Sequence, residues 1–195
     1  MNKYLGFYEL KRLGIPTVPW QMFTNDTILD NSNLWTLRVA TEGGDDLNLP
    51  RYVGVTGEES LIYGKQLLSK YKDVGIVIFY PYFIAEKSGV MDINQSRIVI
   101  EAVSEDLWNL VTHGNREVTL EICDDSKKAI GNEMFLTENE IDELQKYANI
   151  IKSKFRNDMA EGKSLIAEWS YAYKSDINKS SVGERYLVFY EIRSI

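Results

Sequence analysis

Two acidic residues and an arginine near the end of the sequence have the types and spacing that a metal or phosphate site requires. Glu168 lies in one alternating stretch, and Glu191 and Arg193 lie two residues apart in another. Because residues two apart on a strand share a face, Glu191 and Arg193 point the same way. If the two stretches pair as a hairpin, Glu168 can face Glu191 and the two carboxylates can hold a divalent cation. The same alternation is also typical of the solvent-exposed face of an ordinary strand.

The elements that carry these side chains are predicted from apolar periodicity. Residues 165–173 and 186–195 are predicted to be two strands joined by a polar segment. Before them, Thr137 and Glu140 form a capping box at the start of a helix whose apolar spacing extends to about residue 159. The predicted order at this end of the chain is therefore helix, strand, strand.

The rest of the sequence mixes helices and strands. A helix over residues 4–13 is predicted to end at Gly14, and Thr56 with Glu59 predicts a second helix that runs to about residue 71. Strands are predicted at residues 17–24, 34–41, 74–84, 97–103 and 117–123, with a loop over 42–50 and a hairpin that joins 74–84 to 97–103. This mixture predicts an α+β fold with mostly antiparallel sheets.

Composition narrows the classes of function. The chain has 195 residues and a formal net charge of -7, which disfavours general binding to nucleic-acid phosphates. Cys123 and His113 are the only residues of their types, which excludes an intrachain disulfide and metal sites built on several thiolates or histidines. The first residues lack a signal-peptide pattern, and the longest apolar run is too short to span a membrane. These features predict a cytoplasmic protein that binds neither nucleic acid nor membrane.

Four segments in collinear order carry a resemblance to a known family. Gly14-Ile15-Pro16 is similar to that family's Gly-x-Pro opening, and Leu37-Arg38-Val39-Ala40-Thr41 is similar to its Val-Arg-Ser-Ser-Ala-Thr segment. Ser88-Gly89-Val90 and Ile98-Val99-Ile100-Glu101-Ala102 match its Ser-Gly-Val and Ile-x-Ile-Glu-Ala pair, and Glu191-Ile192-Arg193 is similar to its closing Gln-x-Arg-Pro-Ile. The chain therefore resembles the ATP-grasp nucleotide-binding domain of phosphoenolpyruvate synthase and pyruvate phosphate dikinase.

This resemblance implies a ligand, a fold and a set of site residues. The implied fold is ATP-grasp-like, with residues 1–80 as the N-terminal lobe and residues 81–195 as the C-terminal lobe around a nucleotide cleft. The implied ligands are ATP and Mg²⁺, with the adenine near residues 78–83. Lys3 begins the segment that contains Gly14-Ile15-Pro16 and matches the family's phosphate-binding lysine, and Ala167-Glu168-Trp169 matches its metal-binding acid before tryptophan. By these resemblances Lys3, Arg38, Glu101 and Arg193 would bind the nucleotide, and Arg38 and Arg193 would also act in catalysis. Glu168 and Glu191 would bind the metal.

Departures from the family pattern leave three functions open. Asp106-Leu107-Trp108-Asn109 replaces a Gly-Leu-Gly-Glu loop, and Ile166 stands where the family has an acid two residues before the metal-binding glutamate. The phosphohistidine and barrel domains of the full enzymes do not fit in 195 residues. The chain is expected to be an ATP-dependent phosphotransferase or ligase acting on an unidentified small-molecule or protein acceptor, a degenerate nucleotide-binding regulatory module, or a non-catalytic interaction protein. Assembly into a homo-oligomer is compatible with all three.

Overall fold

Short helices and mostly longer strands alternate along the chain in the computed structural model, which describes residues 1–43, 49–123 and 126–195. The helices are α1 (Lys3–Leu13), α2 (Gly57–Tyr71), α3 (Trp108–Val111), α4 (Glu138–Lys154) and α5 (Arg156–Ala160). The strands are β1 (Gln21–Met22), β2 (Trp35–Thr41), β3 (Arg51–Val55), β4 (Gly75–Pro81), β5 (Phe83–Ile93), β6 (Arg97–Ser104), β7 (Val118–Cys123), β8 (Ser126–Gly131), β9 (Leu165–Ser175) and β10 (Ser181–Ser194).

The strands pair into two antiparallel sheets. A four-stranded sheet has the order β1-β4-β2-β3, and a six-stranded sheet has the order β10-β9-β5-β6-β7-β8. Neighbours in the larger sheet are joined as hairpins from β5 to β8 and again from β9 to β10, so β9 returns to pair with β5. The prediction of an α+β fold with mostly antiparallel sheets is confirmed.

Local signals at the helix ends agree with the prediction. Gly14 follows α1 with φ +68, a left-handed conformation that glycine adopts without steric cost. Both predicted capping boxes are present, Thr56 with Glu59 before α2 and Thr137 with Glu140 before α4. The last helix is shorter than predicted, since α4 ends at Lys154 and the separate short helix α5 follows.

The predicted strand over residues 74–84 is in fact two strands that belong to different sheets. The chain leaves β4 at Pro81 and begins β5 at Phe83, and β5 rather than β4 forms the hairpin with β6. Gly89 lies inside β5, where packing requires a residue without a side chain. A side chain there would place its Cβ 2.4 Å from both the Glu101 carbonyl oxygen and the Trp169 ring atom Cζ2. The glycine thus permits a close approach between neighbouring groups inside the strand.

Several elements differ from the prediction or were not predicted. Within residues 17–24 only Gln21–Met22 pairs as a strand, and it lies at the edge of the smaller sheet. The strands β3 and β8 and the helix α3 were missed. Part of the predicted loop at 42–50 lies outside the described residues.

Helices cover one side of each sheet. Leu67 of α2 packs with Phe23, Leu37 and Phe79 against the smaller sheet, while Ile141, Leu144, Ala148 and Ile151 of α4 pack against Trp169 and its neighbours on the larger one. A third apolar cluster includes Phe7, Ile78, Ala172 and Tyr190, so it joins α1 to both sheets. Among the described residues, no helix is both long enough and apolar enough to cross a membrane. The face of the larger sheet that α4 does not cover is directed toward α1 and the smaller sheet.

Candidate functional site

A cleft of about 800 Å³ lies between the two sheets. Charged side chains from both sides meet in it, namely Lys3 of α1, Arg38 of β2 and Arg51 of β3 from one side, and Glu168 of β9 and Glu191 and Arg193 of β10 from the other. Five of the six residues predicted as nucleotide or metal ligands are thus brought together, and Glu101 is the exception. Glu105 and Asp106 also line the cleft, beside α3.

The register between the last two strands places the predicted acids opposite each other. Glu191 pairs with Glu168, and Arg193 pairs with Ile166, after a register shift between Phe189 and Glu191. Since directly opposed residues share a sheet face, Glu168, Glu191 and Arg193 all point into the cleft. The hairpin geometry predicted for these three residues is present in the structure.

Glu191 is clamped between two cations. The Arg38 Nη2 atom lies 2.5 Å from Glu191 Oε2, and the Lys3 Nζ atom lies 3.4 Å from Glu191 Oε1. Only 2% of the Glu191 side chain is exposed. Burial alone would raise the pKa of this carboxyl group, but the charges of Arg38 and Lys3 hold the pKa below its usual value. Glu191 is therefore an ionised carboxylate that links α1 and β2 to β10.

Glu168 has the opposite electrostatic character. Burial, and then the charge of Glu191 beside it, raise the pKa of the Glu168 carboxyl to about 7, against the opposing charges of Arg38 and Lys3. Glu168 therefore exchanges a proton near neutral pH. A cation that enters the cleft would stabilise its ionised form.

Two charged groups of the cleft are buried without a hydrogen-bond partner among the described residues. They are the Oε1 atom of Glu191 and the Nε–H group of Arg193. Buried polar atoms in folded proteins are nearly always paired, so unpaired groups that face a cavity are available to a ligand, an ion or water. The Glu191 Oε1 atom would accept a hydrogen bond from a ligand or coordinate a cation, and the Arg193 Nε–H group would donate a hydrogen bond to an anion.

Arg51 is a cleft cation that the sequence analysis missed. It lies directly opposite Arg38 in the register between β2 and β3, and its guanidinium carbon lies 4.4 Å from the centre of the Trp108 ring. Like charges directly opposite each other on a sheet are unfavourable unless an anion lies between them. The signal that could have revealed it is the alternation of Arg51, Tyr52 and Val53, which predicts a short strand.

Aromatic side chains line another part of the cleft. The rings of Tyr80 and Phe83 stack with centres 6.4 Å apart, and the Phe83 ring lies 5.7 Å from that of Tyr190. Residues 83–85 pair with β9 on one side only, since the pairing of β5 with β6 begins at Lys87. The free edge of the strand thus offers backbone donors and acceptors beside flat apolar rings.

Glu101 lies outside the cleft. It lines a neighbouring pocket on the same sheet, and its Oε1 atom forms an ion pair of 2.7 Å with Arg116 Nη1. Within the described residues, no group of three or more His, Cys, Asp or Glu side chains is arranged to hold a metal ion. A metal held by Glu168 and Glu191 would need further ligands, such as water or a bound phosphate.

Comparison with known proteins gives matches in structure alone. No protein-family model matches the sequence, and no curated protein matches it. The D-alanine-D-alanine ligase of Helicobacter pylori superposes with a TM-score of 0.53 at 15% identity, over 98% of this chain and 50% of that one. The D-alanyl-alanine synthetase A of Vibrio cholerae gives 0.54 at 11% identity, over 98% and 54%. The chain thus spans about half the length of these two enzymes.

A third solved structure matches over nearly its whole length. The dinucleotide-forming acetyl-coenzyme A synthetase 1 of Candidatus Korarchaeum cryptofilum superposes with a TM-score of 0.55 at 9% identity, over 100% of this chain and 92% of that one. At such identities the likeness concerns the fold alone. These neighbours are ATP-grasp enzymes, and none of them is a phosphoenolpyruvate synthase. The two facing antiparallel sheets with a charged cleft between them are therefore an ATP-grasp fold.

Proposed function

We propose that the chain binds ATP with Mg²⁺ in the cleft and transfers a phosphoryl group to an unidentified small molecule or protein. The observation that carries the proposal is the arrangement around Glu191. Arg38 and Lys3 hold this buried carboxylate, its Oε1 atom has no hydrogen-bond partner among the described residues, and Glu168 lies opposite it with a raised pKa. Such an arrangement has the cations for phosphate and the acids for a metal in one place.

The phosphates would lie at the cationic end of the cleft. Arg38 and Arg51 lie directly opposite each other on the adjacent strands β2 and β3, and an anion between them would reduce their electrostatic repulsion. Arg193 offers an unpaired Nε–H group, and Lys3 extends from the first turn of α1. A polyphosphate chain is the ligand that best matches several cations spread over both sides of a cleft.

The adenine would lie at the aromatic end. Tyr80, Phe83 and Tyr190 provide flat apolar surface there, and the free edge of β5 over residues 83–85 provides hydrogen-bonding groups for the base. The archaeal acetyl-coenzyme A synthetase with the same fold was solved with Ca-AMPCP, an adenine nucleotide analogue with a divalent cation. This supports ATP as the nucleotide, with a divalent cation beside its phosphates.

Mg²⁺ fits the two acids of the site. It prefers oxygen ligands and commonly takes one or two carboxylates together with phosphate and water. The Glu191 Oε1 atom lacks a hydrogen-bond partner and Glu168 is opposite it, so Glu168 and Glu191 would hold the ion. When bound, the ion would neutralise charge on the phosphate oxygens.

The side chains of the chain itself would act by positioning and charge neutralisation. Arg38 is fixed by Glu191 and by its contact with the Phe7 ring 5.7 Å away, so it presents its guanidinium in one orientation. Arg193 points into the cleft from β10, on the other side from Arg38. We assign Arg38 and Arg193 to the transferred phosphate, where preorganised cations stabilise developing charge. Lys3 holds the remaining phosphate oxygens.

The resemblance to the phosphoenolpyruvate synthase domain suggests that the acceptor is a partner protein, as in enzymes that transfer phosphate to a histidine of another domain. A second candidate is nucleotide binding without turnover. It is favoured by α3, where Trp108 and its neighbours occupy the segment in which that family has a glycine-containing loop. Release of ADP with an acceptor distinguishes the two, since only the first candidate predicts it.

Titration with fluorescently labelled ATP tests the proposal, with Arg38→Ala as the site variant and Arg12→Ala as its matched control. Arg12 is an exposed arginine paired only with Glu9 on α1. We expect Arg38→Ala to weaken binding about 30-fold, or roughly 2 kcal/mol, because a charge-assisted phosphate contact is lost. Arg12→Ala should bind as the wild type does. Equal affinities of all three proteins would contradict the proposal.

A further inference from the structure

A second pocket adjoins the phosphate end of the cleft and takes no part in the proposed nucleotide site. It has a volume of about 440 Å³, a size suited to part of a small molecule. Its walls are formed by Val90, Asp92, Val99, Glu101, Glu121 and Ile166, together with residues of β7 and β8. Val90 is opposite Glu168 in the sheet, and Ile166 is opposite Arg193. The pocket and the cleft therefore share one continuous sheet face.

Two of the acids in this pocket are already neutralised. Arg97 Nη1 lies 3.0 Å from Glu121 Oε1, and Arg116 Nη1 lies 2.7 Å from Glu101 Oε1. These pairs are partly exposed and have their counter-charges from the protein itself. The remaining acid of the pocket is Asp92, and neither arginine pairs with it.

Asp92 is a carboxylate in the middle of the larger sheet. It pairs with Val99 on one side and with Ile166 on the other, so apolar residues flank it across both strands. Its Oδ1 atom is shielded from solvent and has no hydrogen-bond partner among the described residues. A shielded carboxylate oxygen of this kind requires a donor.

Among the described residues, no cation of the pocket or the cleft forms an ion pair with Asp92. Arg97 is nearest in register, two residues from Val99 on β6, but its guanidinium pairs with Glu121. Lys128 lies on β8, three strands from β5, which is about 14 Å at the usual strand spacing. Arg193 lies on β10, two strands away in the other direction and about 10 Å distant by the same measure. Neither forms an ion pair with Asp92 within the described residues. Among the described residues no side chain donates to the Asp92 Oδ1 atom, and the adjoining pocket has room for a bound donor.

We propose that this pocket binds the acceptor substrate and that the acceptor carries a primary ammonium group, which binds the Asp92 carboxylate. An ammonium group supplies both the charge and the donors that Asp92 lacks. Val90, Val99 and Ile166 would contact an aliphatic segment, while the other end of the acceptor reaches toward Arg193 and the phosphates. The inference rests on the proposed function, because the role of acceptor requires a nucleotide in the adjoining cleft.

The ammonium group can belong to a free small molecule or to a lysine side chain of a partner protein. Both have the same chemistry at Asp92, and probes of different size separate them. Pentylamine represents the free amine, and a short peptide with a central lysine represents the protein. Pentanol and pentanoate have a chain of similar length without the positive charge, so they serve as matched ligand controls.

The test is titration of the isotopically labelled chain with each probe, followed by NMR of the backbone amides of β5 and β6. Asp92→Asn is the site variant, and Asp142→Asn, an exposed aspartate of α4, is the control. We expect pentylamine or the lysine peptide to shift the β5 and β6 signals of the wild type and of Asp142→Asn. Asp92→Asn should bind the same probe at least tenfold more weakly, and the preferred probe identifies the source of the amine.

Three outcomes would overturn the inference. They are no binding by either amine, equal binding of pentanol, and unchanged amine affinity in Asp92→Asn. Shifts of the same signals by Mg²⁺ alone would also overturn it, because they would make Asp92 a metal ligand. Titration of the same samples with Mg-ATP tests the cleft separately. Nucleotide binding without amine binding contradicts this inference alone, while absence of nucleotide binding contradicts the proposed function.

Discussion

A buried glutamate lies on each side of the larger sheet, Glu140 on the helix α4 and Glu191 on the strand β10, and each is held by two cations. On the side covered by α4, Glu140 contacts Lys87 and Arg185, and on the cleft side Glu191 contacts Lys3 and Arg38. Their exposures are also similar, 6% and 2% of the side chain. Burial and ion pairing therefore do not distinguish the two clusters.

Hydrogen bonding distinguishes them. Both Glu140 oxygens are bonded, since Lys87 Nζ lies 3.1 Å and 2.9 Å from them and the Thr137 amide donates to Oε2 at 2.8 Å. Around Glu191, the Oε1 atom has an ion pair with Lys3 but no hydrogen bond, and the Arg193 Nε–H group has no hydrogen-bond partner among the described residues. Glu168 lies directly opposite Glu191. We interpret the Glu140 cluster, whose carboxylate oxygens are all hydrogen-bonded within the protein, as structural. We interpret the Glu191 cluster, which leaves polar groups without hydrogen bonds beside a cavity, as a ligand site.

The largest predicted effect is on the cluster of Glu140, Lys87 and Arg185. Glu140→Ala should lower the free energy of unfolding by about 3 kcal/mol, because two cations lose their buried partner and α4 loses half of its capping box. Urea unfolding at neutral pH measures this. The control is Glu138→Ala, whose exposed pair with Lys127 should contribute less than about 1 kcal/mol. Equal losses in both variants would remove the structural assignment of Glu140.

Glu168 should make the protein less stable as pH rises. Its pKa is raised from an ordinary value of 4.5 to about 7, mainly by burial, so the folded state keeps a proton that the unfolded state releases. The stability that Glu168 contributes is complete below pH 4.5 and is lost as pH rises to about 7. Glu168→Gln should therefore gain about 3 kcal/mol relative to wild type between pH 4.5 and pH 8.

Unfolding free energies of both proteins across this range give the difference directly. Glu140 provides the contrast, because its hydrogen bonds with Thr137, Arg185 and Lys87 outweigh burial and lower its pKa. Glu140 thus stabilises above its ordinary pKa and loses that contribution as pH falls through the lowered value. Parallel pH profiles of wild type and Glu168→Gln would show that Glu168 titrates normally.

Glu191→Gln should change nucleotide binding in opposite directions with and without the metal. Without Mg²⁺, ATP should bind about tenfold more tightly, because Arg38 and Lys3 no longer have a competing anion. With Mg²⁺, the variant should gain no further affinity, because a metal ligand is lost. Calorimetric titration under both conditions measures the effect, and Glu140→Gln is the matched control. Weaker metal-free binding would contradict the role of Glu191 as a counter-charge.

The smallest predicted effect concerns Arg51. Arg51→Ala should weaken ATP binding about fivefold, and the difference from wild type should shrink as salt increases, because the side chain lies at the open side of the cleft. Arg97→Ala, on the neighbouring pocket, should leave ATP affinity unchanged. A salt-independent loss in Arg51→Ala would instead indicate that its contact with Trp108 shapes the cleft.

Local rules predicted the parts of the fold that depend on neighbours in sequence. Thr56, Thr137 and Gly14 mark helix ends through contacts within one turn, so the sequence alone locates them. Alternation gave the last two strands, and pairing them as a hairpin placed Glu168 opposite Glu191. Arg38 and Lys3 required the resemblance to a known family, because neither is near these acids in the sequence.

The features that the sequence did not predict depend on contacts between residues that are distant in the sequence. Gly89 is typical of a turn, but it lies in a strand because Trp169 needs the space of its missing side chain. The strand β8 has lysines and a glycine at an exposed sheet edge, so no apolar alternation reveals it. Arg51 and Asp92 gained significance only from strand register, which places Arg51 opposite Arg38 and Asp92 beside Ile166.

The most direct test of the cleft as an ATP and Mg²⁺ site is a calorimetric titration. The folded chain is titrated with ATP in the presence and absence of Mg²⁺, and the titrations are repeated with Glu168→Ala. We expect Mg²⁺ to strengthen ATP binding by the wild type, and we expect Glu168→Ala to abolish this dependence on Mg²⁺ while the variant still unfolds cooperatively. Absence of ATP binding by the folded wild type would contradict the assignment of the cleft. Binding that neither Mg²⁺ nor the substitution changes would contradict the metal site.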